Sequence, residues 1–251
     1  MDTLTNITER RKKYLEAKHF FKQNGYLIVK DFISTSFHSK LLSVCDKHYQ
    51  TGKGGTKTSR FNYNSDGTMN KIEGACTYEP LFHQLACNKK LVDTAKLLVD
   101  IGNDVDVYIS KFFPMEPKGG QSTFMHQDNF YFNGHPDEII SCAVYLEDTN
   151  KDNGCLRLVE GSHKQGIFPH KEESGIAGIK WMNDYIVNKF DVIDVVGKAP
   201  YAIFFNINTI HGCHTNQSEK TRFSLAWEYI SHYNLKVINV NKPWCDRTQV
   251  V

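Results

Sequence analysis

The tripeptide His126-Gln127-Asp128 lies in STFMHQDNFYF, and a further histidine, His211, lies in NINTIHGCHTNQ. On an extended strand, residues i and i+2 point to the same side, so the imidazole and the carboxylate of the tripeptide can reach one point. An H-x-D triplet alone is weak, because such triplets arise by chance. A second histidine delivered several strands later changes its meaning. Two imidazoles and one carboxylate form the facial ligand set of non-haem Fe(II) oxygenases, which leaves coordination positions open. His214 competes with His211, but three residues further along a strand it faces the opposite side.

Arg222 follows His211 by eleven residues and starts the run RFSLAWEYI. A guanidinium there can hold a carboxylate through two parallel hydrogen bonds. Ser224, two residues on, shares its face and can add a hydroxyl. A metal with open positions beside a carboxylate clamp suits a chelating 2-oxo acid, with O2 at the remaining position.

These residues need strands to carry them. From about residue 105 the chain reads as short β-branched or aromatic runs at 107–113, 139–146, 155–159, 191–196, 201–206, 221–230 and 236–240, separated by turn residues. Before that it reads helical. A helix over 9–24 stops at Gly25, and a strand is expected over 26–32. Ser34 or Ser36 caps a second helix and Asn88 a third. The glycine-rich stretch 51–77 reads as a long loop, and 166–189 as a second lid. Helices followed by about eight strands imply a mainly β jelly roll, a double-stranded β-helix with N-terminal helices packed outside, in one domain over 1–251.

The composition fits that expectation. The chain has 251 residues, with 40% hydrophobic and 23% charged residues. Its 30 Lys and Arg nearly balance 28 Asp and Glu, for a net charge of +2. That balance gives no electrostatic reason to expect nucleic acid or a membrane as partner. No apolar run is long enough to span a bilayer, and no secretory leader is legible at the N-terminus, so the cytoplasm is expected. The seven cysteines include no C-x-x-C pair, which argues against zinc ribbons and thioredoxin chemistry.

The stretch HQDNFYFNGHPDEIISCAVYLEDTNKDNGCLRLVEGSHK, together with HGCHTNQSEKTR and the opening KQNGYLIVKDFIS, resembles the phytanoyl-CoA dioxygenases. These are Fe(II)- and 2-oxoglutarate-dependent oxygenases on a double-stranded β-helix. The resemblance runs over roughly 20–230. It implies iron on His126, Asp128 and His211, and Arg222 on the far carboxylate of 2-oxoglutarate. It also implies Lys71 and Lys111 near the cosubstrate. Two positions depart from the family pattern. Cys213 stands where the family often has serine, which weakens a cosubstrate hydrogen bond. Val144 stands where relatives acting on phytanoyl-CoA have tryptophan, which reshapes the pocket.

The expected reaction is oxidation of a C–H bond in a small metabolite, with hydroxylation first and desaturation, cyclisation or acyl-CoA 2-hydroxylation as alternatives. Arg60, Asn62, Tyr63, Asn129, Tyr131 and Trp227 are the candidate substrate residues, and the working unit is expected to be a monomer or homodimer. Two other classes stay open: a cupin-like metal enzyme that needs no Arg222, and an inactive jelly roll that binds a ligand.

Overall fold

The computed structural model describes residues 2–56, 58, 60–64, 66–119, 123–132, 134–172, 180–182, 184–234 and 247–251. The N-terminal part holds α1 (Asp2–Asn24), β1 (Tyr26–Lys30), α2 (Thr35–Gly52), β2 (Phe61–Tyr63), β3 (Met69–Glu73), α3 (Ala75–Tyr78), α4 (Pro80–Ala86) and α5 (Lys89–Leu98). The remainder holds β4 (Val105–Met115), α6 (Asn129–Phe132), β5 (Ile139–Tyr145), β6 (Leu156–Val159), β7 (His170–Glu172), β8 (Lys180–Met182), α7 (Asp184–Val187), β9 (Val192–Val195), β10 (Tyr201–Asn206), β11 (His211–Cys213), β12 (Arg222–Ser231) and β13 (Arg247–Gln249).

Local chemistry sets the helix ends. Gly25 adopts φ 82 just past α1, a region that glycine enters without strain. The hydroxyl of Ser34 accepts from the Phe37 N–H at 3.2 Å and caps α2. Asn88 caps α5 by accepting from the N–H groups of Lys90 and Leu91 at 3.0 and 3.3 Å.

The large sheet runs β1-β10-β5-β12-β4-β3-β2, with β13 also on β4. A smaller sheet, β11-β6-β9, closes the other side, and the fold is a jelly roll. Strand alternation divides the work of the large sheet. Along β12, Phe223, Leu225, Trp227 and Tyr229 enter the core shared with the helices. Arg222, Ser224, Ala226 and Glu228 alternate with them and line a cavity between the sheets. On β5, Cys142 and Val144 enter the helical core, while Ala143 and Tyr145 join the inter-sheet cluster with Leu156, Tyr201 and Phe205. Each fully buried Leu or Phe contributes about 1.5–3 kcal/mol, so the outer face anchors strands whose inner face is free to be polar.

Several expectations need correction. The stretch 51–77 is not one loop. It carries β2, β3 and the start of α3, because Met69 and Ile72 are buried and Ile72 pairs with Phe112. Two strands of three and five residues, separated by a polar turn, leave little periodicity to read. The strand from Tyr26 ends at Lys30, and Asp31 turns the chain at φ 55. The interval 166–189 contains the β7–β8 hairpin and α7. The expected strand over 236–240 lies outside the described residues. The cysteines at 45, 76, 87, 142, 155 and 213 carry thiols rather than disulfides. Among the described residues no helix is long and apolar enough to cross a membrane.

Candidate active site

His126 and His211 face each other across an isolated antiparallel bridge. The His126 N–H donates to the His211 carbonyl at 2.8 Å, and the His211 N–H donates back at 2.9 Å. This exchange sets the two rings 4.3 Å apart. The H-x-D segment is therefore not an extended strand. His126 is a bridge residue, and Asp128 already lies in the turn into α6. The turn still swings its carboxylate back. Asp128 Oδ1 lies 3.6 Å from His126 Nε2 and 3.8 Å from His211 Nε2. Gln127 points away and fastens the segment, donating to the carbonyls of Gly166 and Asn208 and accepting from the Phe168 N–H.

The tautomers are fixed from behind. His126 Nδ1 lies 2.8 Å from the Phe124 carbonyl, and His211 Nδ1 lies 3.0 Å from the Thr209 carbonyl. A carbonyl only accepts, so each Nδ1 carries the hydrogen and each Nε2 keeps its lone pair for the shared point. Burial holds the His211 imidazole down at about 4, with Asp128 opposing. Burial acts to raise the Asp128 carboxyl, but His211, His126 and Lys111 outweigh it and hold it well below the usual range. At neutral pH the cluster therefore offers a neutral His211 imidazole and an ionised Asp128 carboxylate, the protonation state that a divalent cation needs of them. The donor set and its geometry fit Fe(II).

The cavity, of about 160 Å³, extends from this cluster to Arg222. Arg222 is 4% exposed. Its Nε donates to the Asn153 carbonyl at 3.0 Å, and its guanidinium lies over the Tyr145 ring at 5.0 Å. Its Nη1 is buried without a hydrogen-bond partner. An unsatisfied buried charged donor is costly, by more than the roughly 1–3 kcal/mol of a neutral one. That orphan is the kind of group a ligand carboxylate would satisfy, so the residues also fit 2-oxoglutarate.

The other expected residues divide. Lys111, Cys213 and Ser224 line the cavity. Cys213 Sγ accepts from the Thr123 N–H at 3.0 Å. Lys71 lies outside the lining and pairs with Glu73 at 2.9 Å. Arg60 donates to the carbonyls of Glu73 and Gly74, and Tyr63 to that of Gly52. Asn62 donates to the Arg60 carbonyl, and Asn129 to Asn208 and Gly134. Those four are not among the lining residues, and neither is Tyr131, whose ring lies 6.2 Å from that of His126. Trp227 borders the cavity through its strand, but its ring belongs to the helical core beside Tyr229. His214 is engaged elsewhere: it shares a 2.6 Å hydrogen bond with Asp194 and groups with Cys155.

Sequence reasoning passed over Ser141 and Glu228. Ser141 donates to Asp128 Oδ2 at 2.6 Å. Glu228 lines the cavity 3.6 Å from Lys111. The legible signal for Glu228 was its even spacing from Arg222 in an otherwise apolar strand.

The family model described as "Phytanoyl-CoA dioxygenase" matches residues 21–224. The human protein "Phytanoyl-CoA dioxygenase, peroxisomal" is 25% identical over 239 residues, covering 87% of this chain and 70% of that protein. The "Ectoine dioxygenase" of Stutzerimonas stutzeri is 23% identical over 250 residues, covering 90% and 78%. Among solved structures, EctD from S. alaskensis with 2-oxoglutarate and 5-hydroxyectoine superposes with a TM-score of 0.70 at 20% identity, covering 87% of this chain and 76% of that one.

Proposed function

The chain belongs to the phytanoyl-CoA dioxygenase family, and from that membership we propose that it hydroxylates a C–H bond of a small polar metabolite, with Fe(II) on His126, Asp128 and His211 and 2-oxoglutarate held by Arg222. The protein is an Fe(II)- and 2-oxoglutarate-dependent dioxygenase acting on small molecules. The balanced reaction joins substrate, O2 and 2-oxoglutarate and yields hydroxylated substrate, succinate and CO2. Iron bound at the cluster supplies O2 activation coupled to decarboxylation of the 2-oxo acid.

The chain's own residues do the positioning. The Phe124 and Thr209 carbonyls hold both imidazoles with Nε2 inward. Ser141 restrains one carboxylate oxygen of Asp128. Arg222 presents a fixed, partnerless N–H to the distal carboxylate of the cosubstrate. The sheets around these groups keep bulk water from the reacting C–H.

The observation that carries the reading is the convergence of His126 Nε2, His211 Nε2 and Asp128 Oδ1 in one cavity with the unsatisfied Arg222. The test is anaerobic titration of the Fe(II) protein with 2-oxoglutarate, followed through the visible metal-to-ligand charge-transfer band. The band should form in the wild type and be lost or strongly weakened in His126→Ala and Arg222→Ala. Folded, iron-loaded protein that gives no band would overturn the assignment.

A further inference from the structure

The cavity has a second charged end that binding of iron and 2-oxoglutarate leaves unused. Glu228 lies on the same face of β12 as Arg222, six residues away. At about 3.3 Å per residue that is roughly 20 Å, too far for one small dicarboxylate to reach both. Across β5 the partner of Glu228 is Ser141, whose hydroxyl holds Asp128. Glu228 therefore lies beside the metal cluster and far from Arg222.

The local backbone is irregular there. Ala226 pairs with Lys111 and Glu228 with Tyr108, so Ile109 and Ser110 both stand opposite Trp227. Ile109, a β-branched residue, adopts φ 48 within this bulge. Bulges next to active sites commonly re-aim side chains.

Glu228 is 2% exposed, and among the described residues its carboxylate is paired with Lys111, whose Nζ lies 3.6 Å from Oε1. Oε2 is buried without a hydrogen bond. A buried carboxylate with one long contact and one unbonded oxygen is under-compensated. A hydroxyl donor would satisfy the open oxygen but not the charge, whereas an ammonium would do both.

We propose that Glu228 and Lys111 form the substrate-recognition end of the cavity, and that Glu228 Oε2 receives a protonated amine carried by the substrate. This inference rests on the oxygenase reading and narrows its substrate class to small amines. Lys111 engages Oε1, which leaves Oε2 as the oxygen for the ligand.

The test uses three probes of matched size, propylammonium, propan-1-ol and propionate, titrated calorimetrically into the anaerobic Fe(II)- and 2-oxoglutarate-loaded protein. Propylammonium should bind at least about tenfold more tightly than the other two, and Glu228→Gln should remove that preference. A Lys111→Met/Glu228→Met double variant, which strands no buried charge, should lose it as well and guards against misfolding of the single variant. Equal binding of the alcohol, no saturable ammonium binding, or a preference that survives in the folded double variant would overturn the proposal. The charge-transfer band is recorded on the same samples. Its absence from wild type would count against the oxygenase assignment itself, whereas its presence without ammonium preference overturns only the substrate class.

Discussion

Ser141 donates its hydroxyl hydrogen to Oδ2 of Asp128 at 2.6 Å, which leaves Oδ1 as the oxygen that faces both histidines. One strand residue thus decides which carboxylate oxygen is presented to the metal. Groups behind metal ligands typically tune affinity about 10- to 100-fold. Ser141→Ala should weaken Fe(II) binding by about that factor with an unchanged fold, read by metal competition and circular dichroism. Undiminished affinity would show that the turn at Asp128 alone fixes the carboxylate.

Arg222 should be the main determinant of cosubstrate affinity. Its Nε is already committed to the Asn153 carbonyl, so the fork is pre-set before ligand arrives. Removing one partner of a buried charge pair costs about 2–5 kcal/mol. Arg222→Ala should therefore raise the 2-oxoglutarate Kd by about a hundredfold or more. Arg222→Lys should recover only part of this, since an ammonium lacks the planar fork. Equal affinity for Lys and Arg would place the distal carboxylate elsewhere.

His211 and His214 separate cleanly by partner. His214 is bonded to Asp194, whereas His211 faces Asp128. His211→Ala should abolish stoichiometric Fe(II) binding at the cluster. His214→Ala should retain both the iron and the 2-oxoglutarate band. The reverse pattern would move the metal to the wrong side of β11.

Glu147 should give the metal-free protein a pH-dependent stability. Burial pushes its carboxyl up to about 7, with the Phe223 N–H and Arg222 opposing. In the unfolded chain it returns to about 4.5. Between those values the native state holds a proton that the unfolded chain has released, so stability falls as pH rises through the window. Glu147→Gln stays neutral and keeps an oxygen for the Phe223 N–H. It should match the wild type near pH 4 and melt at least about 5 °C higher at pH 8. A wild-type advantage at pH 8 would contradict the sign.

Some of this protein could be read from the order of its residues alone. His126, Asp128, His211 and Arg222 are legible as candidates because metal and carboxylate chemistry restricts residue type, and Arg222 with Ser224 also because strand periodicity puts them on one face. The helix caps at Ser34 and Asn88 are legible because a cap is made within three residues. The jelly roll is legible from a run of short, turn-separated strands.

What the tertiary structure decided depends on register between distant strands. Ser141 reaches Asp128, and Glu228 reaches Lys111, only because β5, β12 and β4 pair in one particular alignment, shifted by the bulge at Ile109 and Ser110. Trp227 and Glu228 are neighbours in sequence, yet alternation sends one into the helical core and the other into the cavity. Asp128 is aimed by a turn rather than by a strand, so its meeting with His126 came from tertiary constraint rather than from the i, i+2 rule. Residue order determines which chemistry is available. Cross-strand register, a long-range property with no local signature, determines which of those groups meet.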